Sequence, residues 1–362
     1  MLKKLFGFGL AASLVMMSVG CGSTDTKSNA SGNSNSTGNG GDKVLNIMDW
    51  GGANTEAHKK GIYEKFEKEF GVKINLVTPT DYGKLKAMVQ SGNVDIDVAD
   101  VDSDFVIRGA NEGLLEKLDY DIIKHKNDVM PEFVHDYGIG AELFSTVIAY
   151  NTNSFPTGKH PKTWTEFWDV QKFPGKRSLW KYPTGLLEAA LLADGVEPNK
   201  LYPLDVDRAF KSLDKIKKDV SVWWTAGAQP PQLLANGEVS LAMAWSGRIS
   251  AAQSQGAPEA VEFNQGLLMG DSWVVPKGTK HKELAMKFIN FAVAPENQAA
   301  YANYIDYSPV NKKALDLLSK DRIAKIGQSP ENAKNQVVVN LEWWVKNFDQ
   351  VNERFEKWLL NK

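Results

Sequence analysis

Between Val44 and Val101 the chain alternates strand-like and helix-like segments, each closed by its own stop signal, and this order constrains the fold more than any other feature. Val44 to Met48 alternates as a short strand, and Asn54 or Thr55 is placed to cap a helix whose apolar face is Ile62, Tyr63, Phe66 and Phe70. Gly71 ends that helix, and Val72, Ile74 and Leu76 alternate again. Asp81 is placed to cap a second helix with Leu85, Met88 and Val89 inward, and Gly92 stops it before a strand around Ile96, Val98 and Val101. Strands and helices at this spacing predict right-handed crossovers and a mostly parallel sheet, an α/β fold whose ligands sit at the carboxyl ends of strands.

Past an apolar strand at Thr146 to Tyr150, Pro, Trp and Gly punctuate the chain and new elements follow. Helices are expected at Leu186 to Ala193 and Val206 to Ile216, with another closing over Leu233 to Gly237. Val239 to Trp245 reads as a buried strand, Ser272 to Pro276 as a return strand, and Leu284 to Ala294 as an amphipathic helix. The 320 residues from Lys43 to Lys362 exceed the size at which one core usually stops growing, so two lobes are expected. Their boundaries are placed at 43–150 plus about 275–312 for the first and 151–274 for the second, with 313–362 helical and assigned to neither.

The N-terminus carries Lys3 and Lys4, an apolar run from Leu5 to Val19, and Ser18-Val19-Gly20-Cys21. At about 15 residues the run is shorter than the roughly 20 needed to span a bilayer, and its basic start and small-residue end are those of a cleaved signal peptide. Cys21 is the only cysteine, so no disulfide framework forms. Its setting resembles a bacterial lipobox, in which the cysteine becomes the lipid-modified first residue of the mature protein, although Ser18 stands where such boxes usually carry Leu. Residues 1–21 are therefore expected to be a lipoprotein signal peptide with its anchor, the alternative being ordinary cleavage and secretion. From Gly22 to Gly41, 17 of 20 residues are Gly, Ser, Asn or Thr, too few apolar groups to fold. Residues 22–42 are read as a disordered tether with a reach of about 25 Å. The expected location is the extracellular face of a cytoplasmic membrane, or the periplasmic space where an outer membrane exists.

Several function classes find no support. The formal charge of −2 gives no nucleic-acid footprint. There is no G-x-S-x-G elbow, phosphate loop or H-E-x-x-H, so no catalytic residue is assigned and the chain is not read as an enzyme. No cofactor is expected. The histidines His58, His125, His135, His160 and His281 are scattered and are read as mostly solvated. The run Asp95, Asp97, Asp100, Asp102 and Asp104 fails as an EF-hand, because the sixth position from Asp100 is Phe105 and the twelfth is Asn111, and no metal site is assigned. Most of these aspartates are read as solvated, with Asp102 and Ser103 placed at a strand end within reach of a ligand.

Seven stretches then carry a family resemblance: Asp49-Trp50-Gly51-Gly52, Asn111-Glu112-Gly113-Leu114-Leu115, Ile148-Ala149-Tyr150-Asn151, Thr163-Trp164-Thr165-Glu166-Phe167-Trp168, Asn236-Gly237-Glu238-Val239, Ala244-Trp245-Ser246-Gly247 and Asp271-Ser272-Trp273-Val274-Val275-Pro276. In order and spacing they resemble bacterial extracellular solute-binding proteins of ABC importers, in the branch around the spermidine/putrescine-binding proteins. The resemblance implies a two-lobed periplasmic-binding-protein fold of type II, with each lobe a mostly parallel sheet flanked by helices. It also implies a ligand held in the cleft between them, a hinge of crossing strands, an ABC permease as membrane partner, and a monomer.

One departure bears on the ligand. Polyamine binders of this branch carry an Asp directly after the Trp-Ser-Gly segment, where this chain has Arg248, and an acidic residue where it reads Lys181-Tyr182-Pro183-Thr184. A cleft for a dication should not offer an unpaired cation. Arg248 instead suits a carboxylate, through two parallel charge-assisted bonds and the start of a helix expected at Ile249 to Ser254. A surface or interlobe salt bridge is the competing role. Asp271 is placed to pair with an amine, with Tyr182 near the cleft and Trp50, Trp223, Trp224, Trp245 and Trp273 as apolar and cation-π walls. The expected ligand is a small amine-bearing amino-carboxylate such as 4-aminobutyrate, with a polyamine, or a sensory receptor for the same ligand class, as alternatives.

Overall fold

The computed structural model describes residues 43–156 and 158–360, so Cys21 and the tether lie outside the described residues. Eight strands form the main path of one mixed sheet: β1 (Lys43–Met48), β2 (Val72–Val77), β3 (Val98–Asp102), then, past the two-residue β4 (Val134–His135), the long β5 (Gly138–Asn151). They continue with β6 (Arg177–Trp180), β7 (Val220–Trp224), β8 (Leu241–Trp245) and the long β9 (Glu259–Val274). The order is β2-β1-β3-β9-β5-β8-β6-β7, with β4, β10 (Ser308–Pro309) and β11 (Val337–Val338) added at the sides of β5 and β9.

The expected parallel sheet is present twice, as β2-β1-β3 and as β8-β6-β7. Between them β5 and β9 run antiparallel to each other and to β8 and β3. The return strand expected at Ser272 to Pro276 is thus the end of a 16-residue strand that traverses the junction.

Helices cover both faces. The first expected helix is divided into α1 (Gly52–His58), a π-turn over Lys59–Tyr63 and α2 (Glu64–Phe70). It starts at Gly52, so Asn54 and Thr55 lie inside it and cap nothing; Thr55 Oγ1 instead accepts the Gly51 N–H at 2.9 Å. The widened turn lies against α11 (Pro295–Ala302), where a Cβ on Gly61 would stand 2.6 Å from the Tyr301 backbone. In α3 (Tyr82–Ser91), Asp81 caps as expected, accepting Lys84 N–H at 2.9 Å, and Gly71 and Gly92 end their helices in the left-handed region. Next come α4 (Ser103–Asn111) and α5 (Trp164–Trp168), and then α6 (Leu186–Ala193) and α7 (Val206–Ile216), both at their expected bounds. The remaining flanking helices are α8 (Gln229–Ala235), α9 (Ser246–Ser254) and α10 (Lys282–Ala292).

The C-terminal helix, Leu341–Leu360, reaches elements on both sides of the junction. Its Phe348 ring lies 3.7 Å beneath the guanidinium of Arg108 on α4. Its Trp344 donates to Glu188 on α6 at 2.6 Å, and Trp358 packs on Phe210 and Trp223. Among the described residues no helix is long and apolar enough to cross a membrane.

Candidate functional site

The carboxyl ends of β3 and β8 face each other across the β5/β9 junction, where Trp50, Asn54, Asp102, Phe144, Trp245, Arg248, Asp271 and Tyr307 line a small void of about 200 Å³, part of it open to solvent. Its free clearance of about 10 Å³ is that of a single water. A ligand therefore enters only if these walls part.

Backbone geometry determines which side chains arrive there. Asp102 ends β3 and is the register partner of Asp271 on antiparallel β9, so two carboxylates meet on neighbouring strands. Trp245 ends β8, and α9 follows at once. This helix begins at Ser246, earlier than expected, so Arg248 lies within its first turn rather than before it. Trp50 follows β1 and packs edge-on to Trp245 at 5.8 Å and to Tyr82 at 6.3 Å. Phe144 and Trp224 contact other edges of Trp245 at 5.6 and 5.2 Å, which fixes the indole.

Arg248 is 3% exposed, donates from Nη1 to the Gly51 carbonyl at 2.6 Å, and lies 5.2 Å from the Trp245 ring centroid. No ion pair among the described residues includes it, which removes the salt-bridge role in this conformation. Around the void, Trp50 Nε1, Trp245 Nε1 and Arg248 Nε are buried donors without partners, and Asp102 Oδ1 and Asp271 Oδ1 are buried acceptors without partners. Such groups are costly unless something else binds them.

Electrostatics sharpen the contrast. Burial and the neighbouring Asp104 push Asp102 up to about 7, against the 2.6 Å hydrogen bond from Tyr82 and the charge of Arg108. Burial, with Glu142 and Asp102 beside it, pushes Asp271 well above the ordinary carboxylate range, and Arg248 pulls it back only in part. Both would ionise more readily beside an ammonium group.

The other expected site residues lie outside the wall of the void. Ser103 opens α4 and shares a 2.8 Å hydrogen bond with Ser272. Tyr182 accepts from Arg108 at 3.3 Å and packs on Trp180 and Phe348. Trp224 is a second layer behind Trp245, stacked on Trp180 and donating to the Met243 carbonyl, whereas Trp223 faces Trp358. Trp273 is fully buried between His58 and Phe288. Asn54, Phe144 and Tyr307 line the void without having been singled out, and only the position of Asn54 just after Asp49-Trp50-Gly51-Gly52 offered a signal in the sequence.

Two expectations of solvation are overturned. Asp97, Asp100, Asp102 and Asp104 are all buried, Asp100 and Asp102 on β3, whose every residue is buried, and only Asp95 of that run is exposed. His58 and His160 are buried as well. His160 stacks on Tyr150 and meets Glu262 at 3.0 Å. His58 lies between Asp49 at 3.1 Å and Glu142 at 3.5 Å, and although burial works against its charge, Glu142 and Asp49 raise it to about 9.

Residues 61–333 match the family model of bacterial extracellular solute-binding proteins, and the chain belongs to that family. Its fold is the two-lobed α/β fold of periplasmic binding proteins. The chain is 38% identical over 323 residues to a gamma-aminobutyric acid-binding protein of Pseudomonas aeruginosa, spanning 87% of this chain and 90% of that one. A solved GABA receptor superposes with a TM-score of 0.78 at 41% identity, over 89% of this chain and 98% of the other. The spermidine/putrescine-binding periplasmic protein of Salmonella typhimurium is 29% identical, over 74% of this chain and 78% of its own length.

Proposed function

We propose that this protein is the receptor of an ABC importer for a small zwitterion, 4-aminobutyrate or a close omega-amino acid, captured as the two lobes close over it. The observation that carries the reading is the split of unpaired buried groups around the void. Donors from Trp50, Trp245 and Arg248 suit a carboxylate, and acceptors from Asp102 and Asp271 suit an ammonium. A polyamine would meet Arg248 as a repulsive element in the wall, which is how a site rejects a related ligand. The names of the gamma-aminobutyric acid-binding relative and of the GABA receptor support the same ligand class.

Cys21 would tether a monomeric receptor to the outer face of the membrane, near its permease. The lobes would divide at β5 and β9, with the hinge near Ile148 to Asn151 and Trp273 to Pro276. Calorimetry of the purified protein against 4-aminobutyrate, putrescine, betaines and aminophosphonates tests the ligand, and a preference for putrescine refutes the zwitterion. Permease and ATPase genes beside this one support import over sensing, and a histidine kinase gene supports the reverse.

A further inference from the structure

Beside the ligand void, buried carboxylates outnumber their cationic partners. Asp104 has Arg108 at 3.1 Å, and the single imidazole of His58 serves both Asp49 and Glu142. Asp100, Asp102 and Asp271 have no ion pair among the described residues, and each keeps one buried oxygen without a partner. One carboxylate oxygen each from Asp100, Glu142 and Asp271 converges within 4.8 Å. Asn54 braces the first two, donating to Glu142 at 3.0 Å and toward Asp100 at 3.4 Å, and its own oxygen accepts from Tyr301 at 2.5 Å. Like charges this close and this dry are not all carried at once; a proton or another cation must share the space.

We propose that the empty receptor holds a proton in the Asp100–Glu142–Asp271 cluster, with Asp100 as its main carrier, and that the ligand's ammonium displaces it, so that capture is coupled to proton release. This rests on the amine-recognition reading above. The exchange balances: one O–H bond breaks, the proton passes to solvent, and the arriving ammonium keeps its own three protons while replacing one positive charge by another.

The surroundings single out Asp100 and Asp271 as the groups that titrate. Facing the cluster are Asp49 after β1, His58 on α1 and Tyr63 on the π-turn. Asp102 on β3, Arg248 on α9, Tyr301 on α11 and Tyr307 complete the set. Burial pushes the three tyrosines up, so they stay neutral. His58, held at about 9 by Glu142 and Asp49 against burial, stays charged through neutral pH. Burial opposes the charge of Asp49, but His58 and its hydrogen bonds hold it below the ordinary range. Asp100, pushed up by burial and by Glu142, Asp271, Asp49 and Asp102, and Asp271 beside it, pulled back in part by Arg248, are left to take or lose the proton, and Asp100 has no cation to hold it ionised.

The test is calorimetry of 4-aminobutyrate binding near pH 7 in phosphate and in Tris, whose ionisation heats differ. The expected result is an enthalpy that depends on the buffer, with affinity tightening as pH rises, toward tenfold per pH unit for one proton released. Asp100→Asn should clearly weaken both dependences, leaving what Asp102 and Asp271 contribute. Equal enthalpies in the two buffers, or a buffer dependence unchanged in Asp100→Asn, overturns the proposal. A ligand-free arm keeps its fate separate from that of the ligand reading: in carbon-13 NMR titration of the empty protein, the Asp100 carboxyl should stay protonated well above the ordinary carboxylate range. Titration near the usual carboxylate value overturns proton storage whatever the ligand proves to be, whereas stored protons without 4-aminobutyrate binding would sink only the ligand reading.

Discussion

Arg248→Ala removes the one guanidinium that faces the void. The side chain is 3% exposed, its Nε has no protein partner, and its Nη1 bonds the Gly51 carbonyl at 2.6 Å. In the bound state the truncation leaves the ligand's carboxylate in a dry wall with neutral donors such as the Trp50 and Trp245 indoles and no cation. Removing one partner of a buried charge pair costs about 2–5 kcal/mol, most of it the desolvation of the group left behind. That corresponds to a loss of about 30- to 5,000-fold in affinity for 4-aminobutyrate. Arg248→Lys keeps the charge but not the planar fork and should fall between wild type and alanine. Isothermal calorimetry of all three proteins with 4-aminobutyrate and putrescine measures this directly, and thermal melting of the ligand-free variants separates binding from the lost Gly51 contact. If Arg248→Ala binds 4-aminobutyrate as wild type does, or wild type prefers putrescine, the reasoning fails.

Stability of the empty protein should fall as pH rises from 6 to 9. The raised carboxylate of Asp102 contributes its stability below its unfolded value and loses it as pH passes about 7. His58 contributes on the order of 3 kcal/mol below 6.5 that is lost as pH passes about 9, and a melting temperature that climbs over this range contradicts both. Gly61→Ala puts a methyl group 2.6 Å from the Tyr301 backbone and should destabilise by about 1–3 kcal/mol, seen as a lower melting temperature; an unchanged one would mean the π-turn is not held by that contact. Cys21→Ala should move the protein from the membrane fraction to the medium or periplasm, and retention in the membrane argues against the lipid anchor. Small-angle scattering should report a smaller radius of gyration at saturating ligand, as populations shift from lobes parted for entry to lobes closed over it; an unchanged radius counts against lobe closure.

What the sequence by itself determined was the local grammar. Asp81 as a cap, Gly71 and Gly92 as left-handed stops, and the bounds of α6 and α7 depend on bonds spanning a few residues, and the chain writes those in place. The same locality made the α/β alternation and the parallel strands of the first lobe legible, and Arg248 after Trp245-Ser246-Gly247 is what pointed to the proposed zwitterion. Only the tertiary structure decided which polar side chains lose water. Asp100 and His58 read as surface residues because a charged or titratable side chain is by default solvated, yet every residue of β3 is buried and His58 is held between Asp49 and Glu142, so both are enclosed. Whether Trp245 or Trp223 faced the void could not be read from composition, since it depends on which strand ends reach the junction. Asp102 meets Asp271 only through the antiparallel register of β3 with β9, and a one-residue slip would turn either carboxylate to the opposite face. Asn54, Phe144 and Tyr307 join the wall by the same long-range pairing, which no local pattern of residues encodes.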